Sequence, residues 1–178
     1  MTENDRFTIG FYFQTLTGIL GAPSHFFNEL SEEVGFRQPF GFLMISSLFF
    51  MVASLTHIRE KTVLMAGILF VNAVAMPFIL SGIGFMVMTM TMGKRVAFLK
   101  FFAVYAFAAG VTMLASWIPL FFWFTEPWKW MLIALGLVKG CGLKWKQAGL
   151  IIVLSIFVTV LSFWSFAPAT FYTNKLTG

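Results

Sequence analysis

Few side chains in this chain could do chemistry, and their spacing narrows the choice. Glu126 and Lys129 stand three residues apart, where they meet on one helix face. Such a pair serves as an ion pair at a membrane boundary or as a polar contact with a partner. His25 and His57 are the only histidines. A membrane haem needs two axial ligands at one depth, and these two are expected at opposite membrane edges. A quinone needs only one or two polar groups and stays open, with no residue pointing to it. Ser46, Ser47, Ser81 and Ser116 have no histidine or lysine expected at their depth, so no base-activated nucleophile is assembled. They are expected to be helix-packing hydroxyls. A lone Cys141 excludes an internal disulfide and a cysteine-built zinc or iron–sulfur centre.

Met86, Met88, Met90 and Met92 alternate in sequence. Thioethers suit copper(I), so the run is the one candidate for a metal role. On a helix, every-second-residue spacing spreads the sulfurs around the cylinder, although Met86 and Met90, and Met88 and Met92, pair at i,i+4. The pattern favours packing or a conformable interface. Gly136 and Gly140 form a GxxxG, and Ala106 with Gly110 a second small pair, both suited to close helix approach. Lys139 to Lys146 carries glycines and lysines without phosphate-loop spacing, as a short connection would. No catalytic, cofactor-binding or metal-binding set emerges, so a non-enzymatic protein without a cofactor is expected.

The elements that must position these residues follow from composition. Of 178 residues, 59% are hydrophobic and 11% charged, with 24 Phe and seven acids. Soluble domains carry roughly 25% charged residues, so no water-facing surface could be tiled here. The bilayer is the solvent. A net charge of +5, small and scattered, gives no footprint for nucleic acid and bears on topology and lipid head groups instead.

The charge-free windows are 7–28, 38–58, 62–93, 101–125, 130–138 and 147–174. A span needs about 20 apolar residues. The first window is broken by Gly21-Ala22-Pro23 and holds Gln14, Ser24, His25 and Asn28. It is preceded by acids, unlike a signal peptide. Ser24 is expected to cap a helix with Phe26, Phe27, Leu30 and Val34 on one face and Glu29, Glu32 and Glu33 on the other. Residues 7–35 are thus expected as two short interfacial helices. Anionic head groups disfavour three acids by up to ~1 kcal/mol each. The second helix should therefore fold back over the turn with Lys94, Arg95 and Lys100, or that with Lys139, Lys144 and Lys146, unless a partner supplies the charge.

The expected class is an all-α polytopic membrane bundle of about five spans preceded by those amphipathic helices. Residues 1–37 form the N-terminal segment, 38–168 the membrane domain and 169–178 a tail. The spans are placed at 38–58, 62–88, 97–121, 127–143 and 147–167, with four spans the alternative if the fourth is re-entrant. Pro77, Gly82 and Gly84 predict a kink in the second, with Asn72 a buried polar group. Thr125-Glu126-Pro127 reads as the start of the fourth, although Trp117-Ile-Pro119 could already be the preceding turn. The last span is expected to stop before Pro168.

With a cytoplasmic N-terminus, eight Lys and Arg fall on that side (Arg6, Arg37, Lys94, Arg95, Lys100, Lys139, Lys144, Lys146). Four fall outside (Arg59, Lys61, Lys129, Lys175). The positive-inside rule then favours N-in and C-out. Trp117, Trp123, Trp128, Trp130 and Trp164 gather near the outer interface, as an aromatic belt would.

The run Gly93-Lys-Arg-Val-Ala-Phe98, then Tyr105, Trp117-Ile-Pro119, Trp130 through Leu137, Gly142-Leu143 and Lys146 through Ile152 resembles the Yip family, the Ypt/Rab-interacting membrane proteins. Pro23-Ser-His-Phe26-Phe27 resembles that family's amphipathic lead-in. The resemblance covers about 20–168 and implies five spans with a cytoplasmic N-terminus. For eukaryotic members it implies vesicle traffic and small-GTPase partners. About 37 residues precede the first span, which resembles the compact prokaryotic members, and no catalytic residues come with the family. Glu126-Pro127 and Met86–Met92 depart from its pattern. The expected role is a scaffold or accessory subunit of a larger complex in a bacterial inner membrane, touching lipids and other integral subunits. A small transporter or lipid-handling protein is the alternative. Glu29, Glu32, Glu33, Lys94, Arg95, Glu126, Lys129, Gly136 and Gly140 are its candidate contacts.

Overall fold

Hydrocarbon offers no water to backbone groups, so an apolar chain satisfies them within each segment, as helices do. The structure, a computed structural model, describes residues 7–30, 34–57, 62–92, 96–118 and 120–176, with side chains through Val160 apart from Phe122. Their regular elements are all helical. In order they are α1 (Ile9–Gly21), α2 (Pro23–Asn28), α3 (Arg37–Leu55), α4 (Val63–Met92), α5 (Phe98–Ser116), α6 (Phe122–Leu135), a π-helical turn (Gly136–Gly140) and α7 (Trp145–Leu176). Among the described residues, α3, α4 and α5 are long and apolar enough to cross a membrane.

The bundle is built around α5. Buried inside the chain is 72% of its apolar window, against 11% of that of α4, so α5 is the axis and α4 an outer rib. Small residues make this possible. A Cβ on Gly110 would lie 2.7 Å from the Phe42 ring, so α3 touches α5 almost at its backbone. Phe78 of α4 stacks on Phe102 of α5 with centroids 4.2 Å apart, and Phe85 meets Phe98 and Phe101 edge-on. These contacts run antiparallel. His57, just after α3, stacks on Trp117, just after α5, so those two helices run parallel.

Several expected boundaries are corrected. α5 ends at Ser116 rather than 121, where the Ser116 hydroxyl donates to the Thr112 carbonyl and the Trp117 indole to the Leu114 carbonyl. α6 begins at Phe122, because Phe124 and Thr125 N–H groups already donate to the Phe121 carbonyl. Thr125-Glu126-Pro127 therefore lies inside the helix, with Pro127 forgoing one backbone bond. The regular part of α6 stops at Leu135, and the π-turn carries the chain to Gly140. α7 continues through Pro168 to Leu176, so most of the expected tail is helical. In an apolar segment, unwinding would expose more backbone than the single bond a proline removes.

The N-terminal helices differ most from expectation. Thr8, not Ser24, supplies a hydroxyl cap, accepting from Phe11 N–H at 3.1 Å. α2 starts at Pro23, whose fixed φ suits a first helical position, and stops at Asn28, so Leu30 and Val34 are not on it. The pair also packs against the bundle. Phe11 and Phe26 both contact Phe107, at 6.5 and 5.4 Å between centroids. Phe107 is nine residues into α5, or ~13.5 Å along the axis. Part of their aromatic face thus packs on the bundle, while Ile9, Phe13 and Leu20 of α1 stay exposed.

Candidate functional site

A cleft of about 170 Å³ opens between α4, α5 and α6, with Phe50 of α3 at its edge. Its position follows from a stripe on α5. Tyr105, Ala109, Thr112 and Ser116 recur at helical spacing and all line it. Met76, Pro77 and Leu80 of α4 form the facing wall, and Ile133 of α6 closes one side. Gly82, expected beside the kink, faces open space and does not line it. Asn72 lines the cleft but is exposed rather than buried, which corrects that expectation.

Polar groups collect near the end where α5 finishes and α6 begins. Lys129 Nζ lies 2.6 Å from Glu126 Oε1, with the side chains 18% and 33% exposed, so the expected pair forms in a half-buried place. The ammonium also sits 5.6 Å from the centre of the Trp130 ring, within cation–π range. Ser116 Oγ donates to the Thr112 carbonyl at 2.7 Å and lies 3.0 Å from the Thr125 hydroxyl. His57 stacks on Trp117, beside Ser116, which brings a histidine nearer to this serine than expected. Ser116 is instead engaged by the Thr112 carbonyl and the Thr125 hydroxyl. The arrangement offers paired charges above apolar walls, suited to holding an amphiphile's polar end.

The other candidates are placed as follows. Glu29 meets His25 Nδ1 at 3.3 Å, both well exposed. α2 does pack over the turn containing Lys139, as one alternative anticipated. The partner found for Glu29 is His25, four residues earlier on α2. Glu32, Glu33, Lys94 and Arg95 lie outside the described residues. Gly136 and Gly140 are buried inside the chain. A Cβ on Gly136 would collide with Val104, and one on Gly140 would lie 3.2 Å from the Phe27 carbonyl. Their small-residue face is therefore used for close packing within the chain. Met88 is fully buried, whereas Met86 and Met90 are 61% and 82% exposed, so Met88 turns away from the face that Met86 and Met90 share.

Other groups escaped sequence reasoning. Tyr12 is buried and its hydroxyl meets Ser46. Tyr105, at the deep end of the cleft, has a buried hydroxyl near that of Ser155, and neither makes a well-formed hydrogen bond. Tyr105, Thr112 and Ser116, on one face at helical spacing, were the available signal. Cys141 is buried.

The sequence pattern of the Yip1 domain matches residues 17–167, most of the chain. No curated protein and no solved structure matches it.

Proposed function

This chain belongs to the Yip1 domain family, and from that premise we propose that it is a five-span, non-enzymatic accessory subunit of a bacterial inner-membrane assembly. Its N-terminus is cytoplasmic and its C-terminus outside. The eight-to-four split of Lys and Arg supports that orientation. The alternating directions of neighbouring helices support the span count, with α6 and its π-turn as the fourth and α7 as the fifth. The observation that carries the subunit reading is the outward face of α4. Val71, Ile79, Met86 and Met90 are 52–82% exposed along a face of that helix that the described residues leave uncovered. Met86 and Met90, one turn apart, give that face two conformable side chains.

A photo-crosslinking side chain placed at Met86 or Met90 tests this, with Val153 of α7 as the control. Discrete protein adducts from α4 but not from α7 are expected in native membranes. Adducts to lipid alone, together with a monodisperse single chain in mild detergent, would overturn the subunit reading.

A second reading, a lipid-handling protein or small transporter, is favoured by the cleft. A bundle made only for scaffolding has no need of paired charges above an apolar recess.

A further inference from the structure

The mouth of the cleft carries one anion and one cation in contact, Glu126 and Lys129. Below them the walls are mostly apolar, with Met76, Pro77, Leu80 and Ile133, and carry the hydroxyl-bearing Thr112 and Tyr105 on the α5 side. We propose that this cleft seats the head-group end of a zwitterionic phospholipid bearing a primary ammonium, with its ammonium on Glu126 and its phosphate on Lys129. The proposal rests on the lipid-handling reading and names the ligand class of that same cleft.

Charge complementarity decides the class. The pair is neutral as a whole, and a ligand that opens it must leave neither member unpaired. An anionic head group would satisfy Lys129 but set a second negative charge beside Glu126. A lone cation would do the reverse. A zwitterion exchanges one ion pair for two and leaves the local charge balanced. The ammonium must also donate hydrogen bonds, because the contact it replaces is a 2.6 Å N–H···O bond to Glu126. A primary ammonium can do so and a trimethylammonium cannot. When Lys129 turns to the phosphate, its place over Trp130 is free for the incoming cation.

Volume sets how much of the lipid enters. About 170 Å³ is close to the size of an apolar cavity that takes up benzene. It accommodates the first few carbons below the head group, not a whole acyl chain. The remaining chain length has an apolar surface to follow deeper along α4, where Ile79 and Met86 are exposed. In the proposed orientation the polar end faces the outer leaflet, which supplies the lipid.

The test uses the full chain, reconstituted in nanodiscs of equal parts phosphatidylethanolamine, phosphatidylcholine and phosphatidylglycerol. It is then transferred to detergent and weighed with its retained lipid by native mass spectrometry. Retention of phosphatidylethanolamine about tenfold above either competitor is expected, the factor worth one charge-assisted hydrogen bond. The Glu126→Gln/Lys129→Gln variant should lose that preference. The reversed pair, Glu126→Lys/Lys129→Glu, should keep it and guards against a fold defect in the neutral variant. Met76→Trp, which fills the recess, should abolish retention of every lipid. Preference for phosphatidylglycerol, or an unchanged preference in the neutral variant, overturns the zwitterion assignment. If Met76→Trp still abolishes retention in that case, the lipid-handling reading survives its loss. Unchanged retention by Met76→Trp overturns both.

Discussion

The Tyr12 hydroxyl lies 3.2 Å from that of Ser46, and this buried contact ties α1 to the middle of α3, 34 residues later in the chain. Tyr12 also packs on Phe42, with ring centroids 4.8 Å apart. The N-terminal helices are thus part of the packed unit.

Removing that tie should be measurable. Tyr12→Phe loses one hydrogen bond and should destabilise by about 1 kcal/mol. Tyr12→Ala also empties a buried ring site and should cost about 3–5 kcal/mol. Thermal unfolding in detergent reads both. An unchanged midpoint for Tyr12→Ala would mean that α1 does not contribute to the folded core.

Gly84 of α4 and Tyr105 of α5 should behave as a coupled pair. A Cβ on Gly84 would lie 2.6 Å from the Tyr105 hydroxyl oxygen, which must then shift. Gly84→Ala is expected to destabilise by about 1–3 kcal/mol. Tyr105→Phe alone removes a hydroxyl without a well-formed hydrogen bond and should be near neutral. Combined, the two should recover part of the loss, giving a non-additive cycle. Strict additivity would rule out the steric explanation.

Glu126 and Lys129 should be more costly to separate than to delete. Glu126→Ala leaves Lys129, whose side chain is 18% exposed, without this carboxylate. A loss of about 1–2 kcal/mol is expected, below that of a fully buried pair because both side chains keep some solvent. Glu126→Ala/Lys129→Ala should be more stable than the single variant. Equal or lower stability of the double variant in the same melts would count against a desolvated pair.

Orientation can be read with thiol labelling, although Cys141 is only 7% exposed and a poor reporter. On a Cys141→Ser background, Lys144→Cys and His57→Cys place thiols at exposed positions on opposite ends of the bundle. An impermeant reagent on intact cells should label His57→Cys and reach Lys144→Cys only after permeabilisation. The reverse pattern would invert the proposed topology.

Membership of the helical class was legible because it depends on local composition. A run such as 62–93, with no charge, can satisfy its backbone in hydrocarbon only as a helix. The Glu126–Lys129 contact was legible for the same reason, since three-residue spacing closes it within a single helix. Boundaries at Ser116 and Phe122 were not, because they depend on side-chain bonds to particular carbonyls rather than on composition. The assignment of α5 as axis and α4 as rib was out of reach too. In water, a buried helix face differs from an exposed one in polarity, and the stripe can be read from the order of residues. In a bilayer both faces are apolar, so Ala106, fully buried, and Ile79, 52% exposed, satisfy the same local rule. Shape decides between them. Gly110 against Phe42 and Gly136 against Val104 bring together residues far apart in the chain. Only the tertiary packing of those small residues determined which helices meet, where α1 and α2 insert, and that a cleft remains beside Pro77.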